Sequence, residues 1–384
     1  MKCRIYLAAM LSLAAPAALW ANAEAPGPNR QPVANQQPKI QLAILLDTSN
    51  SMDGLIDQAR QQLWQAVNEF SKAKRGGVTP VLEVAVYEYG NNGIDARQGH
   101  TRQVVGLTRD LDKVSEALFS LTTNGGNEYC GYVIAQAVNR LQWSTSPNDV
   151  KAIFIAGNEP FTQGPTPFAE AISAAKARGV VVNTIHAGDY QTGLGEGWQQ
   201  GALLAGGNYM SIDHNQAVVH VKAPQDEQIA RLNAQLNETY IPYGKEGAAG
   251  AARQQEQDSE SLGVSIGLLA KRAKSKATAL YNNAKWDLVD AVEAGDADLD
   301  EIEPEALPEE MQAMTPEVRK AFVNEQAKER AELKAKIVEL SKQRDAYAAE
   351  HLETRAAERA DTLNEALTES VRRQAVSHDF VFAD

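Results

Sequence analysis

Apolar and polar positions repeat along this chain with two periods, and the switching between them outlines a fold. Ile40–Leu46 is an almost unbroken apolar run and predicts a strand. Leu55–Phe70 follows, with apolar residues at 55, 56, 59, 63, 66, 67 and 70, the spacing of one helix face. Further strands are predicted at Leu82–Tyr89, Ala152–Ala156, Val180–Ile185 and Tyr209–Ile212, with a short edge strand at Val104–Leu107. Helices are predicted at Val114–Leu121, Val133–Leu141, Phe168–Ala177 and Gly197–Ala205. Ala152–Ala156 is apolar throughout, as a strand buried on both faces requires. This alternation predicts an α/β fold, a doubly wound and mostly parallel sheet with helices on both faces. Ligands of such sheets sit at the carboxyl ends of strands, and Asp47 lies at one.

The pattern changes near residue 224. A helix is expected at Asp226–Thr239, a turn or extended piece at Tyr240–Gly244, a small-residue linker at Gly247–Ala252, and a helix at Leu262–Asn282. A short amphipathic helix after Trp286 completes a helical extension over 224–295. Residues 296–317 carry nine acidic side chains and no Lys or Arg, and read as an acidic linker. Residues 318–384 are rich in Ala, Glu, Lys, Arg and Leu and predict a long charged helix or helical hairpin. Leu333, Ile337, Leu340 and Tyr347 suggest a coiled-coil seam that Arg344 interrupts.

Composition narrows the setting. Residues 1–23 have the marks of a signal peptide: basic Lys2 and Arg4, an apolar stretch, and Ala21-Asn22-Ala23 as the small-residue cleavage site. Residues 24–37 read as a flexible leader, which places the predicted domain at 38–223. A periplasmic or secreted location is expected, with no membrane span in the mature chain. Only Cys130 would remain after cleavage removes Cys3, and it reads as a buried apolar side chain. The chain carries 50 acidic and 37 basic residues, which argues against nucleic acid as a partner. His186 and His214 stand beside no nucleophile motif.

The candidate chemistry lies where the first strand ends, in Asp47-Thr48-Ser49-Asn50-Ser51. One carboxylate and two hydroxyls at alternate positions are hard oxygen donors suited to Mg²⁺. The competing reading is plain helix capping by Ser51 and Asp53. Asp296, Asp298 and Asp300 resemble a calcium loop, but Glu301 and Leu307 stand where Gly and Glu are needed.

Asp47-x-Ser49-x-Ser51 after an apolar strand resembles the first loop of the metal-ion-dependent adhesion site of the von Willebrand factor type A (VWA) family. The resemblance covers residues 38–223 and implies a doubly wound domain holding one divalent cation, whose open position takes a partner's carboxylate. Two loops depart from the family pattern. Gly125-Gly126-Asn127-Glu128 has Glu128 where the family has Thr, and Gly157 replaces an Asp, with Asn158 and Glu159 just beyond. The expected metal ligands are Asp47, Ser49, Ser51, Glu128, Asn158 and Glu159, with Mg²⁺ as the cation and Ca²⁺ or Mn²⁺ as alternates. Tyr89, Tyr129 and Phe161 either line the rim for a partner or pack around the loops, and Glu88 is a candidate for outer support of the cation.

The expected function is an exported, non-enzymatic module that presents a divalent cation to a protein ligand. One alternative is a metal-free scaffold acting through its helical tail, with self-association through the C-terminal helix. The other is a metal-dependent phosphohydrolase, which would need a second carboxylate where Ser49 stands.

Overall fold

A computed structural model describes residues 37–213, 221–353 and 363–382. The expected signal peptide, nearly all of the leader, and His214 lie outside the described residues. Six strands form the sheet: β1 (Lys39–Asp47), β3 (Val81–Tyr89), β4 (Thr101–Thr108), β5 (Val150–Gly157), β6 (Val181–Ala187) and β7 (Tyr209–Ile212). Their order is β4-β3-β1-β5-β6-β7; β4 runs antiparallel at one edge and every other pairing is parallel. This is the doubly wound arrangement, and its direction reverses between β1 and β5. A two-residue strand, β2 (Ala73–Lys74), pairs apart from the sheet with the chain's last strand, β8 (Val381–Phe382).

The period-two alternation of β1 explains its central place. Leu42, Ile44 and Leu46 enter one hydrophobic core, while Ala43 and Leu45 enter the other. On the first face lie α1 (Asp53–Phe70) and α2 (Leu111–Phe119). On the second lie α3 (Cys130–Arg140), α4 (Phe168–Ala177), the short α5 (Tyr190–Gly195) and α6 (Trp198–Ala205).

The remaining helices build onto the first face. They are α7 (Asp226–Glu238), α8 (Gly247–Val264), α9 (Ile266–Lys276), α10 (Leu288–Ala294), the single turn α11 (Glu309–Gln312), α12 (Pro316–Glu353) and α13 (Leu363–Val376). Helix α13 returns to the sheet, packing on α1, β5 and β6 and burying Leu367, Val371 and Ala375. Helix α9 covers the outer side of α1. The helix leading away from the Asp47 turn is thus buried on nearly all sides, down to Gln58, Gln62 and Asn68.

Buried ion pairs tie the added helices to one another and, through Asp112, to the sheet layers. Arg272 of α9 is wholly buried, bonds Asp112 of α2 at 2.6 Å and Asp258 of α8 at 2.5 Å, and lies 4.6 Å from the Trp64 ring centre. Tyr281 donates to the other Asp112 oxygen at 2.6 Å. Arg330 of α12 bonds Asp287 and Asp290, and Arg344 bonds Asp226.

Three expectations change here. Gly247–Ala252 is not a linker but the start of α8, and its small residues allow close approach: a Cβ on Gly250 would lie 2.3 Å from the Trp286 ring. The acidic stretch 296–317 is anchored rather than solvated throughout, because Leu299, Leu307 and Met311 are buried with Ile241 and Val323 in a third cluster. The α12 seam faces helices of its own chain: Leu333 and Ile337 join the main core, and Arg344, the break in the heptads, is buried on Asp226.

Candidate metal centre

Asp47 ends β1 beside the reversal point of the sheet, fully buried between β3 and β5. The backbone turns sharply after it. The Thr48 N–H donates to Tyr89 O at 2.8 Å, and the Ser49 N–H donates to Asp47 Oδ1 at 2.8 Å. The second loop is zipped to this turn: Asn124 N–H donates to Thr48 O at 3.0 Å, and Gly125 N–H donates to Asn50 Oδ1 at 2.6 Å. Helix α1 begins after Met52, which makes no side-chain cap, while Asp53 accepts from the Thr123 hydroxyl at 2.6 Å. Capping therefore does not account for Asp47, Ser49 or Ser51.

The second loop brings Glu128 onto Asp47. The two carboxyl groups share a hydrogen bond, both are buried, and neither has an ion-pair partner among the described residues. Burial pushes Glu128 up to about 10, helped by the hydrogen bond and the charge of Asp47. Burial also raises Asp47, against the lowering effect of Glu128 and the Ser49 N–H. Without a cation, Glu128 therefore holds the proton of the pair at neutral pH and donates it to Asp47.

The third loop contributes Asn158, whose Nδ2 donates to Ser51 Oγ at 3.2 Å and bridges the first and third turns. Glu159 is solvent-exposed; its charge raises both Asp47 and Glu128, and its backbone oxygen accepts from Trp198 Nε1 at 3.0 Å. Asp47, Ser49 and Glu128 thus meet in the buried part, Ser51 and Asn158 close the rim, and Glu159 acts by charge from outside. Within the cluster the Ser49 hydroxyl faces both carboxyl groups and lowers the pKa of each. Asp47 Oδ2, Ser49 Oγ and Asn158 Oδ1 are buried and make no well-formed hydrogen bond outside the cluster. Buried polar atoms are rarely left so. The donor set is two carboxylates with hydroxyl and amide oxygens; no group of three His, Cys, Asp or Glu suited to a metal occurs among the described residues.

Glycines at the strand ends make this closeness possible. A Cβ on Gly90 would lie 2.7 Å from Asp47 Oδ1 and 2.8 Å from Glu128 Cγ. A Cβ on Gly157 would lie 2.3 Å from Tyr89 Oη and 3.1 Å from Asp47 Cβ, so an Asp at 157 has no room. Tyr89 therefore packs beneath the site, not at its rim, and its hydroxyl donates to Ala156 O at 3.0 Å. Phe161 is likewise buried, edge-on to Phe168 and tilted against Trp198, while Tyr129 is half-buried and edge-on to His100. Glu88 does not face the pair; it is bound to Arg102 and accepts from the Thr48 hydroxyl at 3.3 Å. Gln163 and Trp198, which sequence reading passed over, hold the loops: Gln163 Oε1 accepts from the Glu128 N–H at 2.5 Å, and Phe161 N–H donates to Glu196 O at 3.0 Å beside Trp198.

No protein-family model and no curated protein matches the chain. Solved structures overlap it in part. Proximal thread matrix protein 1 from the mussel byssus, described with a zinc-occupied MIDAS motif, is 12% identical over 46% of this chain, with a TM-score of 0.33. The chain spans 42% of that protein's length. The SpRpn10 VWA domain is 18% identical over 47% of this chain and 99% of its own, with a TM-score of 0.32. The pilus adhesin SpaC from Lactobacillus rhamnosus GG is 15% identical over 55% of this chain and 32% of its own, with a TM-score of 0.34. Overlaps this low leave the fold to rest on strand order and connectivity. Among the described residues no helix is long and apolar enough to cross a membrane. With its doubly wound sheet and the Asp47 turn at the point of reversal, the chain has a VWA-like fold.

Proposed function

We propose that this protein binds one divalent cation at the Asp47 turn and uses it to engage a protein partner. The observation that supports the reading is the contact of two buried carboxyl groups, Asp47 and Glu128, with no ion-pair partner among the described residues, beside the buried Ser49 hydroxyl. A cation satisfies such oxygens at once, and it takes the place of the proton on Glu128. Two carboxylates with neutral oxygens suit Mg²⁺, and Ca²⁺ or Mn²⁺ fit the same donors. Ser51 is exposed and Asn158 only partly so, and the position for a partner's carboxylate is proposed on the Ser51 side. Export and a non-enzymatic role complete the proposal. Ser49 cannot serve as the second carboxylate of a phosphohydrolase, and α12 is engaged within its own chain, which weighs against self-association through it.

The test is calorimetric titration of Mg²⁺ and Mn²⁺ into chelator-stripped protein. Binding with about one ion per chain is expected, and loss of it in Asp47→Ala. An unchanged titration in that variant, or none in the wild type, ends the proposal.

A further inference from the structure

The three loops at the candidate cation site are braced against one another in pairs. Asn124 and Gly125 tie the second loop to the first, and Asn158 ties the third to the first. The second and third are joined by Gln163, whose Oε1 accepts from the Glu128 N–H at 2.5 Å. Gln163 stands on a stiff support. Its own N–H donates to Pro160 O at 2.9 Å and closes a turn. Two residues earlier, Phe161 is buried against Phe168 and Trp198. One residue later, Gly164 has a φ of 101° and lies against Tyr129; a Cβ there would be 2.5 Å from Tyr129 Cδ1. Before Glu128, the second loop presses on the end of β3, where a Cβ on Gly126 would meet Gly90 O at 2.4 Å. The backbone that carries Glu128 is thus held at two points while its carboxyl reaches Asp47.

We propose that Gln163 is a positioning residue that tunes the Asp47 site toward Mg²⁺ and away from Ca²⁺. The inference rests on the cation reading of that turn and adds its selectivity. Mg²⁺ demands near-ideal octahedral geometry with oxygens at about 2.0–2.1 Å, whereas Ca²⁺ accepts irregular shells at about 2.3–2.6 Å. One carboxylate comes from the first loop and the other from the second, so the spacing between them depends on how firmly the loops are held. Gln163 acts through Glu128: its oxygen is engaged by the Glu128 N–H and fixes the point from which that carboxyl reaches inward. Without the acceptor, the N–H turns to water and the second loop is free to draw back from Asp47. A wider and softer cage penalises the smaller, more exacting cation first.

Calorimetric titration of Mg²⁺ and, separately, of Ca²⁺ into the chelator-stripped full chain tests this. Gln163→Leu keeps the bulk of the side chain without an acceptor. It is expected to weaken Mg²⁺ by about tenfold or more and Ca²⁺ by no more than about threefold. Gln163→Ala is expected to behave alike, and Gln163→Glu, which keeps an acceptor, to bind Mg²⁺ at least as tightly as the wild type. Amide hydrogen exchange on the metal-free proteins is a second readout. The Glu128 N–H should exchange faster in Gln163→Leu, with β1 and β5 still protected, which also shows that the variant is folded. Wild-type Mg²⁺ affinity in the leucine and alanine variants, or equal losses for the two cations, overturns the proposal and leaves the cation reading standing. A wild type that binds neither cation ends both.

Discussion

Raising the pH perturbs the Asp47–Glu128 pair directly, because Glu128 is held protonated by burial and by its neighbour. Between its ordinary value of 4.5 and about 10, the folded metal-free protein keeps a proton that the unfolded chain releases. The contribution is present in full below the unfolded value and is lost as pH rises through the window. Metal-free stability should therefore fall with rising pH, by up to about 1.4 kcal/mol per pH unit for this one group. A cation that replaces the proton reverses the cost. At neutral pH each ion bound should release about one proton, and apparent affinity should rise about tenfold per pH unit. Titrating Mg²⁺ at pH values of about 6, 7 and 8, in buffers of low and high ionisation enthalpy, measures both quantities. Glu128→Gln mimics the protonated carboxyl in size and removes the titration; it should bind Mg²⁺ more weakly and without proton release. Tight binding that releases no proton in the wild type, or a pH slope unchanged in Glu128→Gln, would refute the reasoning.

Other expectations bear on the scaffold around the site. Gly157→Ala should destabilise the protein by about 1–3 kcal/mol through contact with Tyr89 Oη, and Gly157→Ala with Tyr89→Phe should recover part of the loss in urea denaturation. Asn158→Ala should weaken the cation roughly tenfold while leaving the denaturation midpoint of the metal-free protein nearly unchanged, since its amide makes a single bond to an exposed hydroxyl. Arg272→Met strands Asp112 and weakens the hold on Asp258, and should cost about 3–5 kcal/mol by chemical denaturation. A cost near zero would mean that the helices past 224 dock without it.

The sheet was readable because its evidence is local. Continuous apolar runs such as Ala152–Ala156 belong to strands covered on both faces, and the Leu55–Phe70 periodicity marks one helix face against the sheet. The edge strand near Val104 was visible as a weaker run, and it proves to be the antiparallel one. What could not be read depends on residues far apart in sequence. Arg272 and Asp112 lie 160 positions apart, and neither motif nor periodicity links them. The return of α13 to the sheet is equally silent, because Leu367, Val371 and Ala375 look like any helix face until α1 and β5 are in place. At the candidate site the residue types were legible and their geometry was not. Asp47, Ser49 and Ser51 announced oxygen donors. The contact between Glu128 and Asp47 depends on Gly90 and Gly157, whose meaning lies in the space that a Cβ would occupy.

The cation itself is open to direct observation in a crystal soaked in Mn²⁺ and measured at the manganese absorption edge. A single anomalous peak bounded by Asp47 Oδ2, Ser49 Oγ and the Asn158 amide oxygen, with Glu128 turned onto it, is the expected result. A fully soaked crystal with no peak there, and with Glu128 still hydrogen-bonded to Asp47, would contradict it.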